Sequence, residues 1–534
     1  MTDRPGDDGY SVAPQPLGGP AGGGSGRRRR LAVGMVAAAA VAILAISWFG
    51  PRPSSRPSLD GLTGLLATPE PTPFPTAAQF ATALPALTGG AGRFAGTVGV
   101  VSNNFRVLDL GTGETLESVN TFFDDDVVVP VPGGAGWLCI CIAGGSVQDV
   151  QLVLLDPAGH ELDRRTIGRL GTTSGPDRSI AVRTGIDLAP DRRTGLLVAA
   201  VQGPSEWTYS VASLDLAAGT SGPQLALGTQ RPPDVAGSVA PVQAFAVGPF
   251  VRLAPGGDRA WVWAATLNAG DPLETQSVGW TIRLEHGQPV AVSPVGDLAG
   301  PTICVLGGFL APDQFVAMCE SPGHVEPEWS IREFAADGGL TRRVDVTDVS
   351  DFSSDMLFDT ANGAIWVWNG SAMHLRRIDA ATGSVAEMTF DRDAETASGG
   401  EPLDGAQPVW VRPDAIVPSP FDGQMTGSRD GSRLYLLGYA QEPGPLDALR
   451  SLGILVVDPR TMALLGRWSN DAAYDSIHMG FGGSVVMASG MSGFDDRGEP
   501  SFWEASVTFH DAEDGRILAR YGRLGEFRAT IIEP

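Results

Sequence analysis

Six histidines and four cysteines are the side chains of this sequence with the widest chemical repertoire. His160, His286, His324, His374, His478 and His510 are scattered, and no two stand at a metal-ligand spacing. Taken one at a time, each is a turn or strand-surface residue. His478, in YDSIHMG beside Asp475, is the best placed for acid–base work, but it needs a nucleophile from elsewhere in the chain. The sequence holds no G-x-S-x-G elbow, P-loop, H-E-x-x-H helix or EF-hand loop. Catalytic residues are therefore unknown, and neither a cofactor nor a metal is expected.

Cys304 and Cys319 flank a candidate hairpin, TICVLGGFLAPDQFVAMC. A turn centred on Ala311–Pro312 sets them opposite each other on one face, which predicts a disulfide. Cys139 and Cys141, in WLCICIA, share one strand face. Two thiols cannot complete a zinc site, so the pair reads either as buried thiols or as a local bridge. An even count of four suits an oxidising compartment.

Two acidic clusters, Asp124–Asp126 and DRDAETASGGEPLD at 391–404, lack the ligand spacing of a calcium loop. Both read as solvated acid, and 391–404 is the candidate functional insertion. Trp261 with Trp263, and Trp366 with Trp368, are i,i+2 pairs, so each pair lies on one strand face. Packing between sheets and stacking on a sugar are the two readings. Asn369-Gly370-Ser371 forms a glycosylation sequon.

The elements that carry these residues fall into four segments. Residues 1–30 form a Gly/Pro-rich tail ending in Arg27, Arg28, Arg29 and Arg30. Residues 31–49, LAVGMVAAAAVAILAISWF, are uncharged and long enough to cross a bilayer as a helix. The arginines precede this run, so the N-terminus is expected in the cytoplasm and the large domain outside the cell. A cleaved signal peptide is the alternative, but SWFGPRP is a poor cleavage site. Residues 50–92 form a linker rich in proline, an extended spacer. From residue 57 onward 30 Arg face 58 Asp and Glu, a field that repels nucleic acid, so no nucleic-acid partner is expected.

Residues 93–534 read as all-β. One unit recurs: an alternating strand, an acid, a tight turn with Gly, then a second strand. Its acids are Asp109, Asp156, Asp215, Glu285, Asp337, Asp379, Asp458 and Asp511. Repeats of this length with several strands each predict a β-propeller of seven or eight blades. FRATIIEP near the far end supplies a strand that the first unit lacks, which predicts closure by pairing the two ends. Two β-sandwiches in tandem are the alternative fold.

The pattern resembles extracytoplasmic propellers of the YVTN or quinoprotein-like kind, through turns such as D-x-x-T-G at Asp109 and Asp379. The resemblance implies fold more than activity. The leading functional reading is a membrane-anchored extracytoplasmic propeller that binds a protein or a cell-envelope glycan. Alternatives are an extracytoplasmic propeller enzyme (glycosidase, lyase or quinoprotein-like) and a transmembrane sensor. Whether the chain is an enzyme is open, with the balance against it.

Overall fold

The computed structural model describes residues 94, 96–101, 105–119, 127–131, 135–144, 147–172, 182–189, 193–202, 206–216, 218–231, 244–268, 274–298, 303–321, 328–346, 354–391, 405–411, 423–441, 449–468, 473–491, 505–521, 524 and 530–533. These belong to one compact unit. Residues 1–30, 31–49 and 50–92 lie outside the description, as do Asp124–Asp126 and 392–404. Among the described residues no helix is long and apolar enough to cross a membrane.

The strands form eight antiparallel sheets, each a blade of four or five strands. From inner to outer strand, blade 1 is Thr530–Ile532, Thr97–Val101, Phe105–Asp109 and Thr115–Val119. Blade 2 is Val127–Val131, Gly136–Gly144, Val147–Leu155 and Glu161–Thr172. Blade 3 is Val182–Leu188, Thr194–Gln202 and Trp207–Asp215, with Thr220–Ser221 and Leu225–Gln230 sharing the outer edge. Blade 4 is Ala244–Leu253, Arg259–Asn268, Glu274–Glu285 and Gln288–Pro294. Blade 5 is Ile303–Ala311, Gln314–Ser321, Glu328–Phe334 and Leu340–Val346. Blade 6 is Ser354–Asp359, Ala364–Asn369, His374–Asp379 and Val385–Thr389, with Trp410–Val411 added inside the first. Blade 7 is Met425–Gly427, Leu434–Gln441, Leu449–Asp458 and Ala463–Trp468. Blade 8 is Ala473–Gly480, Val485–Met491, Ala505–Asp511 and Ile517–Tyr521.

The core shows that these sheets form a ring. Eight apolar clusters occur, each shared by two consecutive blades, and the set closes through blades 8 and 1. A closed ring of sheets is an eight-bladed propeller, not a pair of sandwiches. Thr530–Ile532 completes blade 1 by pairing with Thr97–Val101, with Val100 opposite Ile531. The Glu533 carboxylate, at the end of that strand, accepts the Phe481 amide of blade 8 at 2.6 Å.

The eight recurrent acids fall one per blade, at the turn between the third and fourth strands. Asp109 Oδ1 accepts the amides of Gly111 and Thr112, at 2.7 and 3.0 Å. Asp156, Asp215, Asp337, Asp379, Asp458 and Asp511 act alike. A carboxylate so engaged starts the turn, and a residue at positive φ closes it. Gly113 at 74° and Gly383 at 72° do this in blades 1 and 6, while blade 7 uses Met462 at 54°.

Strand direction alternates within a blade, so the ring has two distinct ends. Turns joining first to second and third to fourth strands share one end, here called the turn face. They are tight, as between Ala311 and Gln314. Second-to-third turns and the links between blades leave from the opposite end, the loop face. The stretches 231–243, 390–424 and 492–504 start there. The chain enters blade 1 on the turn face, where the Gly96 carbonyl accepts the Leu110 amide at 2.9 Å. Phe94 packs there against Phe481 and Phe509, with ring centroids 5.0 and 5.1 Å apart.

Candidate functional site

The inner strands carry the acids with the least access to water. Asp187, in VRTGIDL of blade 3, accepts the Leu188 amide at 3.0 Å and the Leu253 amide of blade 4 at 2.6 Å. Asp355, in SDMLFD of blade 6, accepts the Met356 amide at 2.9 Å and the Met425 amide of blade 7 at 2.8 Å. Each carboxylate thus ties one inner strand to the next. Sequence reading passed over both, because a single Asp in a short apolar strand carries no motif. These acids are occupied by the backbone, which leaves them as staples of the ring wall rather than as proton donors.

Burial pushes the Asp187 carboxyl up to about 6, while the Arg252 guanidinium and the two amides pull it partly back. Between about pH 4 and 6 the folded protein holds a proton that the unfolded chain has released. This group's contribution to stability therefore declines as pH rises through that window and is level above it. Asp187→Asn removes the slope, which is on the order of 3 kcal/mol. The variant's stability deficit relative to the parent is expected to be largest near pH 4 and to shrink by pH 7. Urea unfolding at a series of pH values measures it; a deficit that does not change with pH contradicts the assignment.

Among the described residues the histidines do not converge. His160 is exposed and meets its own turn acid, with Nδ1 3.0 Å from Asp156 Oδ2. His286 sits in a tight turn at φ 52°. His374 lies 3.5 Å from Glu387 on the neighbouring strand. His324 lies outside the described residues. His478 is on the inner strand of blade 8, half-buried, opposite Met487. Ser476 and Ser489 stand beside it in the same sheet, but they are 1 % exposed and hydrogen-bond to each other.

His510 departs from the surface position that its sequence context suggests. It is buried, with Nε2 2.9 Å from the Tyr474 hydroxyl and Nδ1 2.9 Å from the Gly515 carbonyl. Its ring stacks on Trp468 of blade 7 at 5.8 Å. Blade stacking buries the polar side of this strand as well as the apolar side, which strand alternation alone does not reveal.

Cys304 and Cys319 are cross-strand partners in blade 5, with their sulfurs bonded at 2.13 Å. Cys139 and Cys141 are bridged along one strand of blade 2, and both are buried. The tryptophan pairs are walls between blades. Trp261 stacks on Phe315 at 4.6 Å, and Trp263 Nε1 donates to the Cys304 carbonyl at 2.8 Å. Trp368 Nε1 donates to the Leu437 carbonyl of blade 7 at 2.6 Å. All four rings are buried, so they offer no platform to a sugar. Asn369 of the sequon is buried too, and its Oδ1 accepts the Ala372 amide at 2.9 Å. Among the described residues no group of three or more His, Cys, Asp or Glu is placed to hold a metal ion.

No protein-family model matches this sequence, and no curated protein matches it. Similar folds exist among solved structures. Dihydro-heme d1 dehydrogenase NirN in complex with DHE is 13% identical, with a TM-score of 0.46, over 86% of this chain and 82% of that one. Apo AztD from Citrobacter koseri is 10% identical, with a TM-score of 0.37, over 82% of this chain and 98% of that one. An oligogalacturonate lyase in complex with manganese is 9% identical, with a TM-score of 0.35, over 84% of this chain and 99% of that one. At this distance the likenesses carry no function across. The ring itself rests on the sheet topology and the eight shared cores.

Proposed function

We propose that the chain is a membrane-anchored extracytoplasmic propeller that binds a protein or a cell-envelope glycan through its loop face. The observation that carries this reading is the inequality of the two ends. The turn face is made of short turns whose acids are already engaged by backbone amides. The longest connections, 231–243, 390–424 and 492–504, all leave from the other end, and among the described residues of 390–424 only Trp410–Val411 pairs toward the turn face. Loops on a rigid scaffold are where recognition accumulates. The described chain enters blade 1 on the turn face, where the Gly96 carbonyl accepts the Leu110 amide.

Two features support the compartment. The uncharged run 31–49 follows four arginines, and all four cysteines are paired in two buried disulfides. Domain limits of 1–30 for the tail, 31–49 for the anchor, 50–92 for the linker and 93–534 for the ectodomain belong to the same proposal.

An epitope inserted within 492–504 tests compartment and face together. It is expected to be reached by antibody on intact cells, with the mature protein sedimenting with membranes. The purified ectodomain, 93–534, is expected to bind isolated envelope glycan or a defined surface protein. Replacing 492–504 by Gly/Ser of equal length should abolish that binding and leave the melting curve unchanged. Recovery of the protein from the cytosol, or binding indifferent to the replacement, overturns the reading.

A further inference from the structure

The entry of the chain and the closure of the ring meet at one turn. Phe481–Gly483 joins the first and second strands of blade 8 on the turn face. On one side Phe94 presses against it, its ring 5.0 Å from that of Phe481 and 5.1 Å from that of Phe509. On the other side the Glu533 carboxylate accepts the Phe481 amide at 2.6 Å. Glu533 directly follows Thr530–Ile532, the strand that completes blade 1. A residue before the first strand and a residue after the last one therefore hold the same phenylalanine.

The turn depends on both. Phe481 has φ 52°, a left-handed backbone that a bulky side chain keeps only where its surroundings impose it. Its ring is 2 % exposed, lies in the core that blades 8 and 1 share, and meets Phe509 at 5.2 Å. Phe94 is packed against that same core, which also contains Ile531. Elsewhere the turn is held by its carbonyls: the Ser484 hydroxyl donates to that of Phe481 at 2.8 Å, and Arg429 of blade 7 donates to that of Gly482 at 3.3 Å. Gly480 leaves room for the acid, since a Cβ there would collide with the Glu533 carboxylate. The angle φ fixes the ring relative to the amide. If Phe481 relaxes to negative φ, it can keep its ring or its amide in place, but not both.

We propose that Phe481 is a latch that couples the entering chain to ring closure. Phe94, when seated, holds the Phe481 amide where Glu533 can accept it, and withdrawing Phe94 frees Thr530–Ile532. Each contact stabilises the conformation that the other requires, which is a coupling between two sites through an element with two arrangements. Once open, the latch bares the inner edge of Thr97–Val101 beside the channel. Displacement of the segment before blade 1 is thereby read out at the channel wall. This coupling is independent of compartment and of what the loop face binds.

Hydrogen–deuterium exchange of the full chain in detergent, read by mass spectrometry, tests the latch. In Phe94→Ala the amides of 530–533 are expected to exchange about fivefold or more faster than in the parent, with blades 3 to 6 unchanged. Glu533→Ala is expected to speed exchange at 481–484 as well as at 530–533. In the double variant the acceleration at 530–533 should fall short of the product of the two single effects, because either substitution alone already releases the latch. Phe94→Leu, which keeps an apolar side chain against the cluster, should stay near the parent. An unchanged rate at 530–533 in Phe94→Ala overturns the proposal, and so does a double variant whose effects multiply. Acceleration spread evenly over all eight blades overturns it too, since that is general loss of stability. The loop-face reading stands apart from all of these outcomes, because the 492–504 replacement decides it.

Discussion

Ending the chain after residue 529 is expected to yield an ectodomain that does not form a soluble ring. The lost strand, Thr530–Ile532, is the inner strand of blade 1 and pairs with Thr97–Val101. Ile531 and Ile532 are 4 % and 6 % exposed. Burying two such side chains contributes roughly 3–6 kcal/mol, a large share of the roughly 5–15 kcal/mol that holds a folded protein. The Glu533 tie to the Phe481 amide goes as well. The cut also bares the edge of Thr97–Val101 beside the channel, and a bare sheet edge recruits other chains. Size-exclusion chromatography and thermal unfolding decide the matter. Aggregation, or loss of a cooperative transition, is the expected result. A monomer that melts within about 2 °C of the parent would mean that blade 1 closes without this strand.

Trp368→Ala is expected to cost about 3–5 kcal/mol, the range for removing a large aromatic from a packed interior. The ring is 0 % exposed in the core that blades 6 and 7 share, and its Nε1 holds the Leu437 carbonyl. The substitution leaves both a cavity and an unsatisfied carbonyl. Leu465→Ala, at an outer-strand position 52 % exposed, is the control and should stay within roughly 0.5 kcal/mol. Denaturant midpoints report both changes. If Trp368→Ala unfolds like the control, the inter-blade wall carries less of the stability than its burial indicates.

The outer hairpins were the most legible part of the sequence. Asp109, Asp379 and their counterparts set their turns by contacts within a few residues, so the pattern survives without knowledge of the tertiary structure. One marker per blade fixed the repeat, and the strand in FRATIIEP indicated how the ring closes. The channel wall was less legible, because its determinants act between blades. Asp187 meets Leu253 and Asp355 meets Met425, partners that are 66 and 70 residues away.

Alternation also misleads in a propeller. Ala364–Asn369 is buried at all six positions, since a neighbouring blade covers each face. His510 lies on the polar register of its strand and is buried for the same reason. The inner strand added to blade 6, Trp410–Val411, gave almost no signal. It is two residues long, and the space it and Pro408 occupy is made by what Gly427 and Gly431 lack rather than by what they carry.

The pairing of Val100 with Ile531 sets a clock for biosynthesis. A ribosome adds all of blades 2 to 8 before the first blade can receive its inner strand. Blades 2 to 8 can assemble in order as they emerge, yet blade 1 must wait with one edge bare until Thr530–Ile532 is made. Contacts across such a separation form slowly, and the waiting intermediate is prone to associate with its own kind. Production of this protein is therefore expected to be limited by the interval between first and last strand, and to gain more from a holding chaperone or slower induction than from added stability in any one blade.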